Sequence, residues 1–169
     1  MKSIIASILL TVSLASTAYA DTPDWSSWND LAGKWEAEGS GVPGHGKGSF
    51  SFRLDLQSHV MIRKAHTHYP AAFGKPAFNH DDLLVVYFDG AQARANYFDS
   101  EGHAINYSAN ASADGSSWIF LSDPNPNAPQ YRLTYSKTDS NSLHVNFEIA
   151  PPGQPGNFTS HVEGDARRR

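Results

Sequence analysis

The chain has 169 residues, no cysteine, 13 Lys+Arg against 17 Asp+Glu, and 20 aromatic side chains within a hydrophobic share of 40%. Without cysteine there is no disulfide scaffold, thiol nucleophile, iron–sulfur cluster or thiolate zinc finger, and the apolar content is too high for a disordered acidic tail. A formal charge of -4 gives no basic stripe to release counterions from phosphates, so nucleic acid is excluded as a partner.

Taken in chain order, residues 1–20 come first. Lys2 supplies a positive start, residues 4–14 are an apolar stretch, and Ala18-Tyr19-Ala20 fits the small-x-small rule for signal peptidase. The stretch is shorter than the roughly 18 residues a spanning helix needs. It therefore reads as a secretory signal peptide, with no membrane span after cleavage. The expected mature domain, 21–169, begins near Asp21, and only Lys2 among its charged residues is lost, so the charge becomes -5. A bacterial periplasm or the exterior is the expected location.

Residues 25–32 read as a short helical turn. From Trp35 onward, runs of five to ten residues rich in Phe, Tyr, Val, Ile and Leu are cut by turn residues every 8–12 positions or so, the signature of an antiparallel sandwich or barrel. The predicted strands are 33–38, 47–56, 59–69, 83–89, 93–98, 103–109, 117–122, 130–136, 142–149 and 157–164. Asp89-Gly90, Glu101-Gly102 and Asp114-Gly115 supply turn glycines, and 137–141 is a polar loop of hairpin length. Connections this short hold no crossover helices, so the fold class is all-β: a single antiparallel up-and-down barrel of about 8–10 strands. The longest interruption, 70–82, carries Phe73, Phe78 and His80 and is read as a lid or an end plug.

Placing turns at 89–92 and 99–102 puts Leu84, Val86, Phe88, Ala93, Ala95, Tyr97, Ala104, Asn106 and Ser108 on one face. That face has no charge, so it is assigned to the interior. Its alanines leave room, and Tyr97 and Asn106 are polar handles for a ligand. His66, His68, His80 and Phe78 are placed near the mouth. His66 and His68, two apart in a strand, point the same way and form a candidate chelate for zinc, copper or iron, with a third ligand from His80, Asp81, Asp82, His103 or Glu148. Haem held by one of these histidines is a related possibility. The apolar set Leu143, Val145, Phe147 and Ile149 alternates with His144, Asn146 and Glu148, which are assigned to solvent. The inverted assignment would aim His144 and Glu148 inward as an acid–base pair across from Arg132. There is no Gly-x-Ser-x-Gly elbow for a nucleophilic hydrolase, and the Arg-Arg-Arg terminus does not suit an outer-membrane barrel.

The pattern Leu31-x-Gly33-x-Trp35, with Arg167 and Arg168 near the chain end, resembles the Gly-x-Trp signature of lipocalins and the wider calycin superfamily. The resemblance implies that Trp35 closes the narrow end of the barrel under a basic residue from the tail, with Gly33, Arg167 and Arg168 as its partners. The segments HDDLLVVYFDGAQAR, YFDSEGHAINY and FEIAPPGQPG extend the likeness to lipocalin-like proteins secreted by bacteria, a group that implies a fold and no assigned catalytic residues. The expected function is binding a small, mainly apolar or neutral molecule in the barrel without a cofactor. The alternative is an enzyme, metal-assisted or using a His/Glu base, in the same cavity.

Overall fold

The computed structural model describes residues 22–72 and 74–169; the signal-peptide reading of 1–20 and the role given to Phe73 lie outside them. A 3-10 helix, Ser26–Leu31, precedes ten strands: β1 Gly33–Gly41, β2 Gly46–Asp55, β3 Val60–Tyr69, β4 Phe78–Asp89, β5 Gln92–Asp99, β6 Ala104–Ala111, β7 Ser117–Ser122, β8 Gln130–Asp139, β9 Ser142–Ala150 and β10 Thr159–Arg168. Each pairs antiparallel with its sequence neighbour, and β1 pairs with β10 to close the barrel. All ten expected strands are present, in up-and-down order.

Because strand side chains alternate between faces, register decides what is inside. The inner face of β4 reads Phe78, His80, Asp82, Leu84, Val86 and Phe88, and β5 contributes Ala93, Ala95, Tyr97 and Asp99. On β6 the expected face is inverted. Tyr97 pairs with Ile105 and Ala95 with Tyr107, so Ile105, Tyr107 and Ala109 point inward. Asn106 instead accepts a hydrogen bond from Asn96 at 2.6 Å on the outer face. The turn is one residue longer than the spacing suggested. The Asp99 carboxylate accepts the backbone N–H groups of Glu101 at 3.1 Å and His103 at 2.9 Å, which holds His103 in the loop rather than in the strand. The supposed lid is also shorter, because residues 78–82 belong to β4 and Phe78 stacks on Tyr69 at 4.7 Å between ring centres.

The two ends of the barrel differ in filling. At the helix end, Trp28, Leu31, Trp35, Phe52, Met61, Leu84, Val86, Trp118, Phe120 and Tyr135 are at most 2% exposed. The 3-10 helix is pinned there as a plug: Trp25 Nε1–H donates to Ser58 O at 2.8 Å, and Trp118 Nε1–H donates to Ser27 O at 2.8 Å. At the other end the wall thins to small residues. Gly39 sits opposite Gly164, and a Cβ on Gly39 would come within 2.5 Å of the Glu163 carbonyl oxygen. The strands approach closely here because both side chains are missing, and the neighbouring backbone occupies the space a Cβ would need.

Candidate functional site

The open half of the barrel encloses a cavity of about 490 Å³, within the range of small-molecule sites. Ala37, Ala65, Ile105, Leu133, Val145 and Phe147 supply much of its apolar wall. At its inner end lies a buried charge. Arg63 comes from β3, whose inward set is Met61, Arg63, Ala65, Thr67 and Tyr69, and its Nη1–H donates to Asp82 Oδ1 at 2.5 Å. Both side chains are nearly sealed, 11% and 6% exposed. Burial, the largest influence, would by itself lower the guanidinium pKa; the Asp82 carboxylate together with the Tyr135, Tyr97 and Tyr107 phenols outweighs it, and the net direction is upward. The guanidinium also lies 5.4 Å from the ring centre of Phe50 and 5.8 Å from that of Tyr135.

Arg63 carries five N–H donors, and its Nε is buried with no hydrogen-bond partner among the described residues; the same is true of the Tyr135 hydroxyl. Burial, reinforced by Asp82, pushes the Tyr97 phenol well above its ordinary value, and burial does the same to Tyr107. Both remain neutral donors over the usual pH range. Nearer the mouth, His80 lies between Glu101, at 2.7 Å from Nδ1, and Tyr97 Oη, at 3.1 Å from Nε2. When Nδ1–H donates to Glu101, Nε2 accepts the Tyr97 hydroxyl proton. Asp99, 5% exposed at its side chain, accepts from His103 Nδ1 at 2.8 Å.

Of the residues expected at the site, Phe78, His80 and Tyr97 line the cavity. His66 and His68 do not. They lie on the outer face of β3, where His66 meets Asp81 at 2.6 Å and His68 meets Asn79 at 2.8 Å. The parity that brings Ala65 and Thr67 inward turns them outward, so they share no metal with His80 and are not internal haem ligands. Asn106 is outside as described. Glu148 is outside too, in a two-point pair with Arg132 at 2.6 and 2.7 Å, so the inverted acid–base arrangement fails. Arg63 and Asp82 as a buried facing pair, and Asp99 and Glu101 beside His80, were missed. Extending the alternation of Leu84 and Val86 back through Asp82 and His80 would have revealed the first acid; Arg63 is legible only once β3 is aligned with it.

At the closed end, Arg168 lies over Trp35 with its guanidinium carbon 4.3 Å from the ring centre. It also donates to Ala32 O at 2.5 Å and Asp30 O at 2.7 Å. Gly33 has φ +132°, and a Cβ there would fall 2.5 Å from Arg168 Nη1. Arg167 is exposed and faces away.

No family model and no curated protein matches the sequence. Among solved structures, the chain is similar to an S-type phycobiliprotein lyase, CPES, from Guillardia theta. That match has 7% identity and a TM-score of 0.50, covering 85% of this chain and 90% of the other. It is also similar to a de novo designed fluorescence-activating β-barrel, with 10% identity and a TM-score of 0.43 over 83% of this chain and 95% of the other. At these identities the likeness concerns architecture: the chain is a single closed antiparallel ten-strand barrel.

Proposed function

We propose that the protein is an exported, calycin-type barrel that binds a small, mainly apolar molecule with its polar, hydrogen-bond-accepting end toward Arg63. The observation that carries this reading is the 490 Å³ cavity, apolar along its wall yet ending on a buried guanidinium with a donor left over. A filled core would have closed both gaps, since buried polar groups are ordinarily satisfied. Asp82 already balances the Arg63 charge, so a neutral acceptor such as a carbonyl fits without adding an uncompensated charge. Calycin membership is supported by the Gly33, Trp35 and Arg168 arrangement at the closed end.

The test is titration of purified protein with the environment-sensitive neutral apolar dye N-phenyl-1-naphthylamine, alongside native mass spectrometry for co-purifying adducts. Ala65→Phe, which fills the wall, is expected to weaken dye binding at least about tenfold, roughly 1.4 kcal/mol. Undiminished binding in a folded Ala65→Phe variant would place the dye elsewhere and defeat the reading. Export makes a separate prediction: the intact mass of protein recovered from the periplasm of an expressing bacterium should begin at Asp21. A full-length mass there, or retention in the cytoplasm, would count against it.

The second reading, an acid–base enzyme in the same cavity, is favoured by one observation. His80 is oriented by Glu101 and faces the cavity beside Tyr97, the base-plus-orienting-carboxylate arrangement that proton transfer requires.

A further inference from the structure

We propose that the mouth of the cavity is a binding site for a divalent transition-metal cation, held by His80, Asp99 and Glu101. One ligand atom from each lies within 4.8 Å of the others. Ligands around an ion at bond lengths of about 2.0–2.2 Å sit roughly 3–3.5 Å apart, so rotation about side-chain torsions supplies the remaining closure. His80 is on β4, Asp99 ends β5 and Glu101 follows in the adjoining loop, which anchors two of the three ligands on the rigid wall.

The charge balance points the same way. Asp82 and Asp99 are direct cross-strand partners on the inner face, an arrangement that is destabilising for like charges. Glu101 adds a third carboxylate beside His80. Arg63 is the permanent cation bonded to this group, and Asp82 occupies it. Asp99 and Glu101 remain as two carboxylates at the mouth, whose charge one dication matches.

The surroundings are arranged as those of a ligand set. Asp99 is oriented by His103 Nδ1 and by two backbone N–H groups, the kind of outer contact that fixes a coordinating carboxylate. With Nδ1 on the ion, the His80 proton resides on Nε2, which faces Tyr97 Oη at 3.1 Å and Asp82 Oδ2 at 3.7 Å. One imidazole and two carboxylates suit borderline ions such as zinc, manganese or iron better than calcium. Three protein ligands leave coordination positions for water or for an oxygen of a molecule in the cavity.

The experiment is isothermal titration of zinc chloride into EDTA-treated, dialysed protein, with cobalt(II) as a visible-absorption reporter. Expected are one zinc per chain, a loss of affinity of tenfold or more in Glu101→Gln and in His80→Gln, and cobalt d–d bands that vanish in both. His66→Asn, which removes a histidine–carboxylate pair from the outer face, should change neither signal. Absence of binding at millimolar zinc, or binding that survives both inner substitutions, overturns the site; so does binding lost only in His66→Asn. Circular dichroism confirms that each variant is folded. The titration uses metal alone, so its failure is distinct from failure of the dye experiment.

Discussion

Asp82→Ala should destabilise the barrel by about 3–5 kcal/mol, the range for removing one partner of a buried ion pair. Arg63 is the reason. Its side chain is 11% exposed, and among the described residues its Nε has no acceptor and its one hydrogen-bonded partner is the carboxylate being removed. The variant leaves a cation, which cannot readily lose its proton, among Phe50, Tyr135 and Tyr97. For a domain of this size, roughly 2–4 °C per kcal/mol converts that loss to a melting-temperature drop of about 6–20 °C. The loss shrinks when both partners go. Arg63→Met with Asp82→Leu should recover most of the loss, because two apolar side chains of similar bulk avoid both desolvation costs. The double variant should also separate stability from function, since it keeps a folded barrel while removing the polar end of the cavity. Urea denaturation of the wild type, both single variants and the double variant closes the cycle. A drop below about 1 kcal/mol for Asp82→Ala would mean that water in the cavity screens Arg63 as effectively as the carboxylate does.

That pair shows where sequence reading stops. The strands were legible because aromatic and β-branched runs and turn glycines are local signals, and so was the closed end, because Gly33, Trp35 and the arginine tail form a recognisable pattern. Facing is a different kind of information. It held across the β4–β5 hairpin, where the connection is Gly90-Ala91, and failed across β5–β6, where the Asp99 side chain stabilises one more loop residue. One residue was enough to exchange Asn106 for Tyr107. The histidines failed for the same reason: the pair at 66 and 68 looks like a chelate from spacing alone, yet strand parity turns it to solvent, while the cluster that does converge draws on β4, β5 and the loop after β5. No short window contains His80 and Glu101, which are 21 positions apart and 2.7 Å from each other.

At the opposite end of the barrel, Trp35→Ala should cost about 3–5 kcal/mol, the range for truncating a buried aromatic. Trp35 is 1% exposed, stacks on Phe50 at 6.0 Å between centres, and donates from Nε1 to Leu31 O at 3.0 Å. Removing the indole therefore opens a hole beneath the helical plug and leaves a carbonyl of that plug without its donor. Trp35→Phe keeps part of the stacking but not the hydrogen bond, so its loss should be intermediate. Arg168→Ala should cost less, because the part attributable to a guanidinium over an indole is about 0.5–2 kcal/mol, with the two loop carbonyls adding to it. Arg168→Lys should not restore the wild type. An ammonium can sit over the ring, but it lacks the planar fork that also reaches Ala32 O and Asp30 O. The effects of Trp35→Phe and Arg168→Ala should be non-additive, since both act on one contact. Dye binding in the open half should persist in every one of these variants that remains folded, because Trp35 and Arg168 lie at the closed end and do not line the cavity. Loss of dye binding from a folded Arg168→Ala protein would show instead that the plug and the cavity act as one unit.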